Sequence, residues 1–476
     1  MNRLVLLSDT AEQIRDLLFA AAPDESGCFC LLRRGRGERG TRLLVGEPLQ
    51  PPGEAAWDIQ QPDQLTPSAR WLSACVSAAI REECGLLWVH SHPDPRFPTD
   101  FSAVDRRTLA VWAQTMPAMI DGPFAAAVVS PHGWVAEMAL DGVMVPIQHV
   151  ARVGRNLQSL DAPAIRAFRA EPVDARQRDA LGNAHDRLRA LTVGLVGGGG
   201  LGSPLAEELV RMGAKEVIIV EHDRLDTPSN LRRVFGSRRE HLDQLPPPAK
   251  VDVVGAHLDA IGLDTTVTRV DGDVRFETPF RKLLDCDVVI CATDTHGSRA
   301  VINDLASTYL LPVIDVGVRA GARRNGELNA LLAEIRVLTP VTPCLWCRHV
   351  LDPFIIRAEN LPPEERAQLA AEGYLPGGFG EPEPSVIALT VLGAGLGACA
   401  LLALLSEEGD VAPSAYWIDG FFGDSRELHP ATPSSACRCR SQLGRGDHMP
   451  PSLLPDPVDV SGPRQTALTA DPAAAQ

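Results

Sequence analysis

The stretch LTVGLVGGGGLGS at residues 191–203 decides the fold of this chain. Its first six residues have the apolar pattern of a strand, and a helix-compatible segment follows the glycines. Glycine lets the backbone turn sharply and approach a phosphate closely, and the amide groups at the start of a helix favour negative charge. The stretch therefore predicts a phosphate-binding turn between a strand and a helix, and it makes nucleotide chemistry the first hypothesis.

Apolar strands alternate with helical stretches on both sides of residue 250. The predicted strands lie at residues 192–196, 216–220, 266–270, 288–292 and 312–316. This alternation is typical of βαβ units. We therefore expect an α/β chain whose C-terminal part is a doubly wound, Rossmann-like parallel sheet.

The rest of the chain divides around this region. Residues 1–150 mix a helix with short strands and predict an α+β domain, whereas residues 151–185 are charged, rich in arginine and suited to a linker or arm. The Rossmann-like domain is predicted at residues 186–445. Residues 446–476 are rich in proline and alanine, so we expect a disordered tail.

Bulk properties restrict the partners. The chain has 476 residues, which suits two or three domains. A formal charge of −16 argues against nucleic acid or anionic membrane as a partner and favours a protein. The N-terminal apolar run is too short for a signal peptide, and 11 cysteines, an odd number, do not suggest a disulfide framework, so we expect a cytoplasmic protein.

One apolar segment, residues 385–405, is long enough on paper to span a bilayer. It is rich in glycine and alanine, and acidic residues rather than basic anchors flank it. We therefore expect a buried helix at the centre of a domain or of a subunit interface.

The residues after the glycines decide between two nucleotide classes. An acidic residue about twenty positions past the glycines holds the ribose in dinucleotide-binding proteins, and Glu221 or Asp223 stands there, which keeps an NAD enzyme open. Arg233, Lys250 and Asp294 suit a triphosphate better, because its extra charge needs cations and its Mg²⁺ needs a carboxylate.

This ordered set resembles the ubiquitin-activating-enzyme-like superfamily, which includes the ThiF and MoeB adenylyltransferases. The matching elements are the glycine turn, EHD at 221–223, NLRR at 230–233, Lys250 and DTHGSR at 294–299, within residues 176–440. Two departures are one extra residue between Asp223 and Asn230, and Val234 where glutamine is usual.

The resemblance implies ATP- and Mg²⁺-dependent adenylation of the C-terminal glycine of a small ubiquitin-like or sulfur-carrier protein. It assigns Asp223 to the ribose, Asp294 to Mg²⁺, and Arg176 to the ATP site of a neighbouring subunit, which implies a homodimer. The implied ATP-binding residues are Gly197, Gly199, Gly200, Gly202, Asp223, Asn230, Arg233, Lys250 and Asp294.

Four thiols occur in two close pairs, Cys344 with Cys347 and Cys437 with Cys439. They suit a structural Cys₄ zinc site, and ordinary reduced thiols are the alternative. Residues 348–384, where relatives with a thioester intermediate carry a cysteine, contain none. We therefore expect the reaction to stop at the acyl-adenylate, which a separate thiol or conjugating enzyme then accepts.

A second motif lies about a hundred residues upstream of the glycine turn. His90 and His92 end a predicted strand two positions apart, and Asp105 follows near the start of a helix. Two imidazoles and one carboxylate leave the fourth position of a zinc ion open for water, as hydrolysis requires, whereas structural histidines are the alternative.

This second motif resembles the JAMM motif of the JAB/MPN metalloproteases. The resemblance makes His90, His92 and Asp105 the zinc ligands and Ser102 the group that steadies the tetrahedral intermediate. Glu25 is the preferred general base, over Glu38 and Glu47. The N-terminal α+β domain is then expected to be JAB/MPN-like.

Together these motifs predict a fused bifunctional enzyme. A zinc peptidase would process or deconjugate the modifier whose C-terminus the other half adenylates, with ATP, Mg²⁺, one catalytic zinc and one structural zinc. One alternative is the activation and trimming of a sulfur carrier for cofactor or natural-product biosynthesis. Others are an NAD-binding oxidoreductase with an unrelated metal domain and a non-catalytic scaffold.

Overall fold

The structure is a computed structural model. It describes residues 1–162, 172–322, 325–375, 379, 384–406, 415–419, 424–427 and 434–456. Two units, each built on one large sheet, make up the described chain. We call residues 1–162 the N-terminal unit and the described residues from 172 onward the C-terminal unit.

The N-terminal unit is a mixed sheet with three helices. Its elements are β1 Arg3–Leu7, α1 Ser8–Phe19, β2 Gly27–Arg36, β3 Thr41–Leu49, β4 Trp57–Gln61, β5 Gln64–Pro67, α2 Ala69–Arg81, β6 Gly85–Ser91, α3 Ala103–Ile120, β7 Phe124–Ser130, β8 Gly133–Leu140, β9 Val143–Pro146, β10 His149–Val153 and β11 Leu157–Ser159. The nine-stranded order is β11-β10-β1-β3-β2-β6-β7-β8-β9, and β4 and β5 form a separate hairpin.

Side chains of this sheet alternate between two apolar layers, as the twofold period of a strand requires. Cys28 and Cys30 of β2 pack in the layer that includes α1, whereas Phe29 packs in the layer under α2 and α3. The ring of Phe29 lies 5.2 Å from that of Trp71 and 4.7 Å from that of Trp88, centroid to centroid. The predicted α+β character of this region agrees with these layers.

The C-terminal unit contains the remaining elements. They are α4 Ala175–Leu181, α5 Asn183–Leu188, β12 Thr192–Val196, α6 Gly202–Met212, β13 Glu216–Glu221, α7 Lys250–Asp259, β14 Thr266–Asp271, α8 Glu277–Leu283, β15 Val288–Cys291, α9 His296–Thr308, β16 Val313–Ala322, β17 Leu328–Leu338, α10 Pro353–Glu359, α11 Pro363–Ala371, α12 Ile387–Leu404, β18 Ala415–Asp419, β19 Asp424–Glu427 and α13 Arg438–Ser441.

The sheet order in this unit is β14-β13-β12-β15-β16-β17-β18-β19. The five strands from β14 to β16 run parallel, as the alternating pattern predicts. β12, β13 and β15 are buried along their whole length, because helices cover both faces of a doubly wound sheet. The antiparallel extension through β17, β18 and β19 was not predicted.

Helix α12 is the apolar segment that the sequence singled out. Within the described ranges it is the one helix whose length and composition would allow it to cross a membrane, and half of it is buried inside the unit. A side chain on Gly393 would collide with Val318 of β16, and one on Gly397 would press against Val316 of the same strand. The buried half agrees with the predicted packed helix.

The N-terminal unit sits against the beginnings of the parallel strands. Arg3 Nε lies 2.8 Å from Asp287 Oδ1, just before β15, and Arg39 Nη1 lies 2.9 Å from Glu216 Oε1, the first residue of β13. Arg42 donates a hydrogen bond to the carbonyl group of Cys286. Val5, Leu44 and Val153 share one apolar cluster with Leu191 and Leu405, so the two units are joined by a common core.

Two predicted boundaries differ from the structure. Of the predicted linker 151–185, the described residues up to 162 belong to the N-terminal sheet, and α4 and α5 belong to the C-terminal unit. Residues 446–456 begin the predicted disordered tail but are ordered, because Asp447 and Leu454 are hydrogen-bonded to neighbouring elements. Residues 163–171 and 457–476 lie outside the described residues.

Candidate functional site

The glycine turn joins β12 to α6. Gly197 has a φ of +98°, a conformation that favours glycine, and a side chain on Gly202 would collide with the carbonyl oxygen of Gly197. The amide of Gly198 donates a hydrogen bond of 2.8 Å to Glu221 Oε2. Glycine is therefore required for the tight turn itself as well as for access to the space above it.

Glu221 has a structural role that the sequence did not indicate. One of its oxygens accepts from Gly198, and the other accepts from the amides of His222 and Asp223, each at 2.8 Å. The side chain thus fastens the glycine turn to the end of β13. Of the two acids considered for a ribose, Asp223 is the one whose side chain stays half exposed.

Asp223 is paired with Lys250. The Nζ atom of Lys250 lies 2.7 Å from Asp223 Oδ2. Although burial opposes it, this hydrogen bond holds the pKa of Asp223 below its ordinary value. Lys250 is the first residue of α7 and is buried, so its charge is held at a fixed place beside the turn.

Asn230 and Arg233 bring further donors to the same place. Arg233 Nη2 lies 3.4 Å from Asn230 Oδ1. Asn230 Nδ2 and Arg233 Nε are buried and have no hydrogen-bond partner in the described part of the chain. Buried donors without a partner are costly, so their arrangement fits an anion that accepts from both.

A pocket of about 420 Å³ collects most of the predicted residues. Its lining includes Gly197, Gly199, Gly200, Asp223, Asn230, Arg233, Lys250 and Asp294. Gly202 lies behind the lining as the first residue of α6. Arg176 is exposed on α4 and does not line the pocket of its own chain.

Arg299, which lines the pocket, belongs to an ion-pair network. Arg299 Nε lies 3.3 Å from Asp315 Oδ1, and Arg336 Nη1 lies 3.0 Å from Asp315 Oδ2. Asp315 is fully buried, and its charge raises the pKa of Arg299. Arg299 belongs to the DTHGSR motif, but Asp315 and Arg336 come from neighbouring strands with no local motif to mark them.

The four predicted thiols meet in one cluster. Cys344 Sγ lies 3.6 Å from Cys347 Sγ and 3.6 Å from Cys437 Sγ, and Cys347 Sγ lies 3.9 Å from Cys439 Sγ. A tetrahedral zinc ion with Zn–S bonds of about 2.3 Å requires sulfur atoms about 3.8 Å apart. The cluster therefore fits a closed Cys₄ metal site.

The histidine motif also converges. His90 Nε2 lies 3.2 Å from Asp105 Oδ1, and His92 Nε2 lies 3.5 Å from Asp105 Oδ2. Both ring nitrogens of His90 are buried without a hydrogen-bond partner among the described residues. Although burial opposes it, the imidazole rings of His90 and His92, which lie beside the carboxylate, hold the pKa of Asp105 well below its usual range. The three side chains fit a metal ion.

Glu25 lies beside this cluster, with Oε1 3.5 Å from His92 Nε2. Burial raises the pKa of Glu25 to about 7. Its backbone is held by the β4–β5 hairpin, because its amide donates to the carbonyl of Gln61 and its carbonyl accepts from Gln60 Nε2. The sequence did not indicate this hairpin as the support of Glu25.

Ser102 caps helix α3. Its hydroxyl oxygen accepts from the amide of Asp105 at 3.2 Å, while Asp105 Oδ2 accepts from the amide of Ser102 at 2.7 Å. This reciprocal capping box orients Asp105 toward the histidines. Ser102 therefore lies next to the candidate metal site and has a structural role there.

The part of the chain that forms the nucleotide pocket matches a known protein family. The sequence profile of the ThiF family matches residues 175–439, more than half of the chain. The chain belongs to the ThiF family. The ThiF-family region contains the glycine turn, the pocket and the Cys₄ cluster, whereas the histidine cluster lies outside it.

The chain is similar to several curated proteins. The chain is 26% identical over 161 residues to the SAMP-activating enzyme E1 of Haloferax volcanii, covering 34% of this chain and 54% of that protein. It is 26% identical over 161 residues to the sulfur carrier protein ThiS adenylyltransferase of Bacillus subtilis, covering 34% and 44%. The chain thus spans about half the length of the curated relatives it matches.

A similar relation holds for ubiquitin-like modifier-activating enzyme 5 of Bombyx mori. That protein is 29% identical over 185 residues, covering 36% of this chain and 44% of the relative. Among solved structures, E. coli MccB with ATP aligns with a TM-score of 0.43 and 16% identity, covering 58% of this chain and 75% of that one.

Proposed function

We propose that the ThiF-family region adenylates the C-terminal glycine carboxylate of a small ubiquitin-like or sulfur-carrier protein, with ATP as the co-substrate. The observation that carries the proposal is the pair of buried, unpartnered donors, Asn230 Nδ2 and Arg233 Nε, beside the glycine turn. Such donors suit the oxygens of a triphosphate. Curated relatives whose names describe modifier or sulfur-carrier activation give the proposal its substrate class.

In the proposed reaction a carboxylate oxygen of the modifier attacks the α-phosphorus of ATP, and pyrophosphate leaves. Arg233 and Lys250 neutralise phosphate charge, and Asp223 holds the ribose. Asp294 would hold Mg²⁺, which supplies charge neutralisation when bound. The protein contributes positioning and electrostatics, because the transfer itself needs no covalent intermediate on the enzyme.

We propose that the acyl-adenylate is the end product of this region. The span 348–384 contains no cysteine, so a separate thiol or conjugating enzyme would accept the modifier. Sulfur-carrier activation for cofactor or natural-product biosynthesis remains the alternative, because it uses the same site and differs only in the acceptor.

We propose a homodimer in which Arg176 completes the pocket of the neighbouring subunit. The side chain is exposed and does not line the pocket of its own chain, which supports a role in a second copy. The exposed residues of α12, such as Ile387 and Val391, offer an apolar surface for that contact.

We propose that the N-terminal unit, through its JAMM-like cluster, is a zinc peptidase that cuts at the tail of the same modifier. The convergence of buried His90 with His92 and Asp105 supports a three-ligand zinc site, and among the described residues neither ring nitrogen of His90 makes a hydrogen bond. A zinc ion supplies Lewis-acid polarisation when bound. Glu25 is placed to take a proton from the attacking water, and the Cys₄ cluster is proposed to hold a second, structural zinc.

The decisive test is ATP–pyrophosphate exchange that depends on a small protein ending in glycine. Exchange with that protein, and none without it, would support the proposal. Binding of a nicotinamide cofactor without any exchange would instead favour the oxidoreductase alternative. A cytoplasmic location and the absence of nucleic-acid or membrane partners are part of the same proposal.

A further inference from the structure

We infer that a modifier cut at the proposed peptidase site of one chain must dissociate before its tail can bind in the nucleotide pocket of the same chain. A tail cleaved at the His90–His92 cluster therefore leaves the protein before it enters the nucleotide pocket. This inference rests on the proposed function and concerns the order of its steps. It follows from where each site lies relative to the junction between the two units.

The nucleotide pocket and the N-terminal unit lie at opposite ends of the parallel strands. Gly197 and Asp294, which line the pocket, follow the last residues of β12 and β15. The ion pairs to the N-terminal unit involve Glu216, the first residue of β13, and Asp287, which precedes β15. The body of the C-terminal unit therefore separates the pocket from the N-terminal unit.

The length of helix α12 gives the distance between the pocket and the junction of the two units. Thr390 in its first turn lines the pocket. At its other end, Leu405 packs in the shared core, and the carbonyl of Ser406 accepts a hydrogen bond of 3.1 Å from Asn156 of the N-terminal unit. With a rise of 1.5 Å per residue, the fifteen residues from Thr390 to Leu405 span about 22 Å.

The histidine cluster lies at the far end of the N-terminal sheet. Strand β2 ends at Arg36, and the following turn meets the C-terminal unit, where the amides of Glu38 and Arg39 donate to Asp285 Oδ2. At the beginning of the same strand, Gly27 pairs with His90. The intervening residues of β2 span about 30 Å at 3.3 Å per residue.

A second contact shows which end of the N-terminal sheet faces the C-terminal unit. His448 of the C-terminal unit lies 3.5 Å from Glu83, two residues before the first residue of β6, whereas His90 lies near the end of β6. A C-terminal tail of six fully extended residues on the modifier would reach about 20 Å. The pocket lies about 22 Å from the junction along α12, and the histidine cluster lies about 30 Å from it along β2, so the two sites are more than about 35 Å apart. A modifier tail of six residues therefore cannot reach from one site to the other.

The consequence is a freely diffusing intermediate. Cleavage breaks a peptide bond and yields a modifier with a terminal glycine carboxylate, and adenylation consumes that carboxylate. Because the modifier is released in between, any copy of the enzyme can perform the second step. Fusion then fixes the ratio of the two activities and does not channel the product.

The test uses the modifier of the proposed function with a short extension after its terminal glycine. Adenylate formation from this precursor is compared between the full chain and an equal mixture of E25A and D294A, with each active site at the same concentration. We expect equal rates, and a tenfold excess of unlabelled mature modifier should lower labelled adenylate about tenfold. The inference would be overturned if the wild-type chain formed adenylate faster than the mixture and the unlabelled modifier did not lower its labelled adenylate.

Two controls separate this inference from the proposed function. Cleavage of the precursor and adenylation of the mature modifier are each measured alone, and failure of either one counts against the proposed function. The geometry is measured independently with spin labels on non-standard residues at Arg96, near the histidine cluster, and Arg319, in the pocket lining. We expect a separation above about 35 Å in labelled chains diluted with unlabelled chain; a distance below 25 Å would contradict the inference.

Discussion

The hydroxyl group of Tyr309 donates a hydrogen bond of 3.0 Å to Asp447 Oδ1. The same Oδ1 atom is the ion-pair partner of Arg281, whereas Oδ2 accepts from the amide of Arg36 at 2.9 Å. Asp447 thus connects β2 of the N-terminal unit to the C-terminal unit. Gly446, with a φ of +55°, lies against the carbonyl oxygen of Arg34, where a side chain would collide.

The first prediction concerns this connection. D447A removes the acceptor of the largely buried Tyr309 hydroxyl and the ion-pair partner of Arg281. We expect the free energy of unfolding to fall by about 2 kcal/mol in a denaturant titration. D456A, at an exposed carboxylate bonded to Thr278, is the matched control and should leave the midpoint unchanged. Equal midpoints for D447A and the wild type would show that the connection contributes no stability.

The second prediction concerns the nucleotide pocket. We expect D294A to lower ATP–pyrophosphate exchange by at least about 100-fold, because the proposed Mg²⁺ loses its carboxylate. Peptide cleavage should be intact. D226A changes an exposed carboxylate outside the pocket lining and serves as the control. Loss of cleavage in D294A would argue against two independent sites.

The third prediction is the reverse case. We expect E25A to lower peptide cleavage by about 10²- to 10⁴-fold, the usual contribution of a general base, while exchange and zinc content stay normal. E47A alters an exposed acid of β3 and is the control. If E47A abolished cleavage and E25A did not, the general base would be misassigned.

Metal content provides a fourth prediction. We expect two zinc ions per chain by elemental analysis of protein purified without chelator. C347S should retain one, at the histidine cluster, and H92A should retain the other, at the Cys₄ cluster. C399S changes an exposed thiol of α12 and should retain both. A wild-type content of one zinc would remove one of the two proposed sites.

A fifth prediction concerns pH and Glu208 of α6. Glu208 Oε2 is buried without a hydrogen-bond partner among the described residues. Burial, with a smaller contribution from Glu207, raises the pKa of Glu208 to about 7. Because this pKa is above its unfolded value, the contribution to stability is full below about pH 4.5 and is lost as the pH rises to 7.

E208Q removes this dependence. At pH 8 we expect the free energy of unfolding to rise by on the order of 1 kcal/mol, since the carboxylate is partly screened by solvent. At pH 4.5 the variant should match the wild type. E207Q is the control of opposite sign, because Glu207 Oε1 accepts from Arg211 and Oε2 lies 2.7 Å from His257 Nε2. A uniform shift of E208Q at both pH values would contradict the prediction.

The residues of the pocket were predicted from the resemblance of the ordered motifs to the ThiF and MoeB adenylyltransferases, and the arrangement of parallel strands explains why these residues meet. The segments after β12, β13 and β15 meet at one edge of the sheet, and this brings Gly197, Asp223 and Asp294 into one pocket lining. The histidine cluster was predictable for a similar reason. His90 and His92 lie two residues apart at the end of β6, and the helix cap brings Asp105 to them.

Contacts between distant segments were not predictable. Asp315 and Arg336 meet by strand register behind Arg299 of the pocket lining, and Arg3 meets Asp287 across the junction of the two units. No local pattern encodes such pairs, because each depends on how whole elements pack. The order of the segment around Asp447 was not predicted for the same reason. Its composition is typical of a disordered tail, and its contacts are with residues far away in the sequence.

The Cys₄ cluster has a consequence for the covalent integrity of the chain. Cys347 and Cys437 lie on either side of α10, α11 and α12, and the cluster brings their ends together. When a metal ion joins the four thiolates, the intervening segment becomes a closed loop. A protease cut anywhere within that loop would therefore leave two fragments that stay associated, separate only when the metal is chelated under denaturing conditions, and migrate as one native species until then.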